Sequence, residues 1–255
     1  MLEKQKLIEE AEKAISWIRE YVDKVGASGV VIGNSGGKDS ATVIAMAHKA
    51  LGKDKIITVA MPCNSIHADL EDAKLVSKTF DVPFLEIDLS NTYQELENVI
   101  NITDINLNSE AKINIKPRLR MTALYAIAQS LNYLVLGTGN LCERMVGYTT
   151  KWGDSASDFN PIANFTVEEV LEIGKYLGVP AKIIKKAPSD GLGTLTDEEK
   201  MGITYKQISE YIETGKTDED AMKKIEYKNR ISMHKREPIP TYDFKRTNFL
   251  EKNIK

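Results

Sequence analysis

The chain has 255 residues, 42% hydrophobic and 28% charged, with a formal net charge of −3, which excludes disordered, collagen-like and fibrous classes. Two cysteines, Cys63 and Cys142, are too few for a disulfide framework, and no run of about 18 apolar residues offers a membrane span. The charged stretch Met1 to Glu20 lacks a secretory pattern, so a cytoplasmic protein with neither membrane nor nucleic acid as partner is expected.

Leu7, Ala11, Ala14, Ile15, Ile18 and Val22 recur at steps of three and four, predicting an amphipathic helix ended by Gly26. Ser28 to Gly33 (SGVVIG) reads as a buried parallel strand, followed by a helix from Asp39 to Leu51 with Gly52 at its C-terminus. The rhythm then repeats: strand Lys55 to Met61, helix Ala68 to Phe80, strand Pro83 to Leu89, helix Thr92 to Asn101. Pro117 to Leu131 is predicted as a longer helix with its proline in the first turn, and Tyr133 to Gly137 as a fourth strand. From Asn140 to Asn160 the chain is rich in Gly, Ser, Asp and Thr and reads as a long loop. Thr166 and Glu169 form a capping-box pattern opening a helix to Tyr176, closed by Gly178 and Pro180. After a polar loop, Ala187 to Thr196, short helices are expected at Tyr205 to Ile212 and Asp218 to Met233, and the tail from Pro238 has little periodicity. Alternating strands and helices predict right-handed βαβ units in a doubly wound parallel α/β sheet covered by helices on both faces. One domain over 1–255 is expected, with an N-terminal helix and a C-terminal helical extension, both helical ends serving dimerisation.

Gly33 to Ser40 (GNSGGKDS) lies between a predicted strand and a predicted helix. There a glycine-rich turn can aim successive N–H groups at a phosphate, and the helix adds its positive end. A Walker A loop is excluded because Gly37-Lys38 is followed by Asp39, and no Gly-x-Gly-x-x-Gly fingerprint is present. A carboxylate beside polyphosphate requires an intervening cation, so Asp39 implies Mg²⁺. A second carboxylate is expected from another strand end. Glu143 is the best candidate, the alternative being a solvated loop acid. The three histidines, His48, His67 and His234, are dispersed, and no Cys/His or Ser/His/Asp arrangement suggests a side-chain nucleophile.

The Ser-Gly-Gly-x-Asp-Ser loop resembles the pyrophosphate loop of the N-type ATP pyrophosphatases. Val135 to Glu143, Gly147 to Asp158, Lys186 to Leu192, Thr196 to Glu198, His234 to Arg236, and Pro117 to Met121 resemble, over nearly the full chain, the ammonia-dependent NAD synthetases. The resemblance implies an adenine nucleotide alpha hydrolase-like fold. It implies a ligase that adenylates the carboxylate of deamido-NAD with ATP and then forms NAD with ammonia, releasing AMP and pyrophosphate. On that likeness Gly33, Asn34, Ser35, Gly36, Gly37, Lys38, Asp39 and Ser40 would hold ATP phosphates, with Thr138, Lys186 and Thr196 also contacting ATP. Asp39 and Glu143 would bind Mg²⁺, Asp39 and Lys186 would serve catalysis, and Arg118, Lys151, Asp158, His234 and Lys235 would hold deamido-NAD. A homodimer is implied as well. Lys38 departs from the glutamine frequent at its position, and 255 residues leave no room for a glutaminase domain, so free ammonia is the expected donor. Residues 141–158 and 187–196 are expected to order when substrate binds. Two rivals are a tRNA-modifying pyrophosphatase, disfavoured by the net charge of −3, and a regulatory protein that holds ATP without turnover.

Overall fold

The computed structural model describes residues 3–64, 67–186 and 196–242, with the backbone alone at His67; most of the polar loop 187–196 and the tail 243–255 lie outside them. Helix α1 (Lys4–Val25) buries Leu7, Ala11, Ile15, Ile18 and Val22 as one stripe and stops at Gly26, whose φ of 70° is left-handed. That stripe packs into the chain's own core, beside α2 (Lys38–Leu51). The strands β1 (Gly29–Gly33), β2 (Ile56–Ala60), β3 (Phe84–Glu86) and β4 (Tyr133–Leu136) are parallel, in the order β3-β2-β1-β4. In register, Val30 faces Ile56 on one side and Leu134 on the other. β3 is shorter than its apolar run predicted, although Ile87 N and Leu89 N still donate to Ala60 O and Pro62 O at 2.9 and 2.8 Å.

Side chains alternate across a strand, and the sheet divides its core accordingly. Val30, Ile32, Ile56 and Leu136 join α1, α2, α3 (His67–Thr79) and α7 (Val167–Tyr176) in one apolar cluster. Val31, Val59 and Val135 join Tyr93 of α4 (Ser90–Asn101) and Ala128 of α5 (Ser109–Leu131) on the opposite face. Helices on both faces of a parallel sheet make this the doubly wound α/β arrangement. A third cluster unites α6 (Leu141–Val146), α9 (Asp197–Met201), α10 (Tyr205–Thr214) and α11 (Glu219–Ile231) through Cys142, Met201, Ile208 and Ile225; the short α8 (Ala181–Ile184) packs against α7.

Two expectations need correction. α5 starts at Ser109, well before Pro117, because the Asn108 side chain accepts a bond from Ala111 N at 2.8 Å. Pro117 therefore lies inside the helix and withholds an N–H from the carbonyl four residues earlier. The segment Asn140 to Asn160 is not all loop. Asn140 and Glu143 form a reciprocal capping box, and Gly147 closes α6 with φ 65°. Six residues are too few to show periodicity. Gly147 is required twice over, since a Cβ there would lie 2.1 Å from Ser232 Cβ.

The capping box expected at α7 is present: Glu169 Oε2 accepts from Thr166 N at 2.9 Å, and Thr166 Oγ1 from Glu169 N at 3.4 Å. Thr166→Ala should lower the unfolding free energy by about 1 kcal/mol, seen as a lower urea midpoint at unchanged slope.

Candidate functional site

The chain winds from β1 to β2 to β3 in one direction and then returns to place β4 on the other side of β1. The connections after β1 and β4 thus diverge and leave a crevice at their carboxyl ends. The loop after β1 is anchored from below. Asn34 N donates to Val59 O at 2.8 Å, and its Nδ2 donates to Ala73 O and Ser77 Oγ at 2.9 and 3.0 Å. Asn34 Oδ1 turns back to accept from Gly36 N at 3.1 Å. Gly36 has φ 70°, and a Cβ there would meet Asp69 O at 2.4 Å, so only glycine fits. Gly37 caps α2 with no side-chain bond to the first turn, leaving its amide donors to an incoming anion. Ser35 Oγ and Ser40 Oγ are 3.1 Å apart, and Ser40 Oγ donates to Gly37 O at 3.1 Å.

Asp39, in the first turn of α2, accepts from Asn140 Nδ2 at 3.4 Å, and Asn140 N donates to Glu143 Oε2 at 2.9 Å. Asn140, fully buried, thus spans from one expected carboxylate to the other. Burial and the nearby Asp39 push the Glu143 carboxyl well above the usual carboxylate range, against the opposing pull of Asn140 N–H and Lys38. Lys38 is buried with its Nζ 3.1 Å from Asp39 Oδ2. Burial pulls its ammonium down, yet Asp39 and Glu143 outweigh this and hold it above the usual lysine value. Thr138 follows β4 at the crevice edge, half-buried. Gly137 lies so close to Ser157 that a Cβ would be 2.5 Å from its Oγ.

Lys186 reaches the same loop from the side. Its Nζ lies 2.7 Å from Asp69 Oδ1 and 2.7 Å from Asp72 Oδ2, the two carboxylates of the α3 turn against which Gly36 packs. Lys182 holds the other oxygen of Asp72 at 2.5 Å. Thr196 caps α9: its Oγ1 accepts from Glu199 N at 3.2 Å and donates to Glu199 Oε2 at 2.9 Å.

The residues expected to hold the second substrate gather elsewhere. Arg118 Nε donates to Lys151 O at 3.3 Å, and Lys151 Nζ is 3.4 Å from His234 Nδ1 and 5.4 Å from the centre of the exposed Trp152 ring. The turn carrying Lys151 is docked on α5, where Thr150 Oγ1 donates to Asn114 Oδ1 at 2.6 Å. Lys235 is spent differently, its Nζ donating to Gly147 O and Thr149 O at 2.8 and 2.7 Å. Asp158 likewise serves the sheet: Oδ2 accepts from Val135 N at 2.7 Å and Oδ1 from Tyr125 OH at 3.3 Å. Burial and Asp158 push the Tyr125 phenol up to about 12. Asn140, Asp69, Asp72 and Lys182 join the site without having been expected from the sequence. For Asn140 a signal exists, an Asn-x-x-Glu cap spacing; for the others nothing local announces the pairing.

A family model described as NAD synthase matches residues 10–248. An NH(3)-dependent NAD(+) synthetase of Carboxydothermus hydrogenoformans is 44% identical over 230 residues, covering 89% of this chain and 94% of that protein. Among solved structures, an NMN synthetase from Francisella tularensis superposes with TM-score 0.89 at 33% identity, covering 96% of this chain and all of that one. An NH3-dependent NAD synthetase from Campylobacter jejuni, in complex with nitrate, superposes with TM-score 0.78 at 27% identity over 95% of this chain and 100% of its own.

The Asp72 ion pairs carry a pH signature. Burial raises this carboxyl, but the Lys182 and Lys186 ammoniums prevail and hold it below the usual value. A depressed carboxylate stabilises the fold above its unfolded pKa of about 3.9, and this is lost as pH falls through the lower folded value. Wild-type stability should therefore decline below about pH 4, and Asp72→Asn should be less stable at neutral pH with a shallower acid decline in urea titrations. Parallel pH profiles for the two proteins would remove the ion pairs from the account.

Proposed function

The chain belongs to the NAD synthase family, and from that premise we propose that it amidates deamido-NAD with ammonia at the expense of ATP, yielding NAD, AMP and pyrophosphate. The observation that carries this is the pairing of an uncapped, glycine-turned amide loop after β1 with a carboxylate pair spanned by Asn140 at the end of β4. A deamido-NAD carboxylate oxygen attacks the α phosphorus of ATP, pyrophosphate leaves, and ammonia displaces AMP from the acyl-adenylate. No protein nucleophile is needed. The work is orientation and offsetting of phosphate charge.

The loop from Gly33 to Ser40 would receive the β and γ phosphates through backbone N–H groups and the hydroxyls of Ser35 and Ser40. Thr138 and Thr196 would border the nucleotide. Lys186, carried beside the loop by Asp69 and Asp72, would offset charge on the leaving pyrophosphate. Arg118, Lys151 and His234 would hold deamido-NAD, while Asp158 and Lys235 would support that subsite through the backbone.

Mg²⁺ fits the donor set. Asp39 and Glu143 are two hard oxygen donors in the first turns of the helices that follow the adjoining strands β1 and β4, and Glu143 is held in a setting that disfavours a second uncompensated charge. Among the described residues no group of three or more His, Cys, Asp or Glu converges on a metal position, so phosphate oxygens and water would complete the shell, as suits this ion. Mg²⁺ when bound would neutralise phosphate charge.

A homodimer and a cytoplasmic setting complete the proposal. No described helix is long and apolar enough to cross a membrane, and both cysteines are buried. On the α4–α5 side Val99, Ile102, Ile105 and Ile113 are exposed, and of the long α5 only Pro117 and Ala128 are buried. Such an apolar surface suits a second copy of the chain. Ile105→Asp with Ile113→Asp should convert a dimer into a 28.5 kDa monomer in sedimentation; a monomeric wild type would refute the assembly.

The likeness to an NMN synthetase favours a second reading, in which the amidated acid is the mononucleotide. Incubation with ATP, Mg²⁺ and ammonium should be run with deamido-NAD and, separately, nicotinic acid mononucleotide. NAD, AMP and pyrophosphate are expected, at higher kcat/KM for deamido-NAD; preference for the mononucleotide selects the second reading, and ADP or absence of AMP refutes both. Asp39→Asn should lower kcat roughly 100-fold, the scale of losing transition-state charge stabilisation.

A further inference from the structure

Lys38 lies within the phosphate loop, yet its side chain is only 7% exposed. Its ammonium meets Asp39 Oδ2 at 3.1 Å on one side and lies 5.5 Å from the centre of the Tyr205 ring on the other. Tyr205 is 3% exposed and Asp197 6%. The Tyr205 hydroxyl donates to Asp197 Oδ2 at 3.4 Å, and the Tyr148 hydroxyl donates to Asp197 Oδ1 at 3.2 Å. Tyr205 N donates to Glu198 Oε1 at 2.8 Å, strapping α10 to α9. A single side chain thus connects the first turn of α2 with the cluster formed by α6, α9, α10 and α11.

Three features argue that this is an arrangement with a purpose. Successive helix residues point about 100° apart, so a Lys38–Asp39 pair is not a by-product of helical spacing. A buried ammonium is unfavourable unless paired, and here carboxylate and aromatic face both receive it. The Asp39 carboxylate is held at both oxygens, Oδ2 by Lys38 at 3.1 Å and Oδ1 by the Asn140 side-chain amide at 3.4 Å.

We propose that Lys38 is a positioning residue: without touching substrate, its ammonium fixes the Asp39 carboxylate toward Asn140 and Glu143 and ties the phosphate loop to α9 and α10 through Tyr205 and Asp197. The proposal rests on the reading of residues 33–40 as the ATP phosphate loop, and it leaves to Lys38 only its backbone amide as a direct phosphate contact.

Calorimetric titration of ATP at saturating Mg²⁺ separates the possibilities, with thermal unfolding followed in parallel. Lys38→Met should weaken ATP binding about tenfold, Tyr205→Leu by a similar factor, and the double variant no more than the weaker single, because both break one link. Tyr205→Phe keeps the ring and should stay within about threefold of wild type. Magnesium chloride alone should bind Lys38→Met no more tightly than wild type. ATP affinity of Lys38→Met within about twofold of wild type, or additive losses in the double variant, overturns the proposal. Tighter magnesium binding by Lys38→Met also overturns it, since Lys38 would then be a competitor of the metal. If Lys38→Met loses cooperative unfolding, Lys38→Gln carries the same comparison. Wild type that binds no ATP overturns the loop reading and the proposal together, whereas normal wild-type binding with an unaffected Lys38→Met overturns the proposal alone.

Discussion

A parallel strand whose two neighbours are reached by connections leaving on opposite faces cannot be covered at its carboxyl end, and β1 is that strand. The remaining features of the site follow from this opening. The chain leaving β1 must turn sharply to feed α2, which demands the left-handed Gly36 and its close approach to Asp69 O. The chain leaving β4 must turn away from it, which brings Asn140 and Glu143 to the facing rim. Unsatisfied amide donors on one lip and carboxylates on the other are what a polyphosphate with a cation between requires.

That juxtaposition is electrostatically unstable by itself, and the structure counters it with paired cations rather than with an excess of them. Asp39 is met by Lys38, while Asp69 and Asp72 are met by Lys186 and, at Asp72, Lys182. A net charge of −3 is therefore compatible with binding two anionic nucleotides. The cations are already placed, and their partners hold them in register while offsetting some of their charge. Lys186 illustrates the compromise: two carboxylates position it beside the loop, and in its proposed role phosphate would compete with them for its ammonium.

Much of this is legible in the amino-acid order. The alternation of apolar runs with amphipathic segments specifies the winding, because a strand buried on both faces, such as Val30 to Ile32, has no other apolar surroundings available to it. The loop from Gly33 to Ser40 is legible because its proposed role lies in backbone geometry, and glycine spacing records backbone geometry directly. What the sequence conceals is of two kinds. α6 and the early start of α5 depend on Asn caps at Asn140 and Asn108, single residues whose side chains substitute for a missing turn of hydrogen bonds. The partnerships of Lys38 with Tyr205 and of Lys186 with Asp72 join residues far apart in the chain, and no local pattern encodes a contact between elements so distant in sequence.

The third apolar cluster gives that last point its functional weight. α11 and the short 3₁₀ turn after it, Met233–Lys235, are fastened to the end of α6 by Arg236 donating to Arg144 O at 2.7 Å and by Lys235 donating to Gly147 O. Gly147 itself admits Ser232 at a distance no side chain would allow. His234 is thereby delivered to Lys151, and Lys151 to Arg118 on α5. The same cluster carries Tyr205 to Lys38 and buries Cys142, the residue before Glu143. One body of packed side chains thus braces both the carboxylate rim and the proposed deamido-NAD subsite. A shift of α6 relative to the sheet would move Glu143 and the Lys151 turn together, so on the proposed assignment the relative placement of the two substrates would follow from this packing.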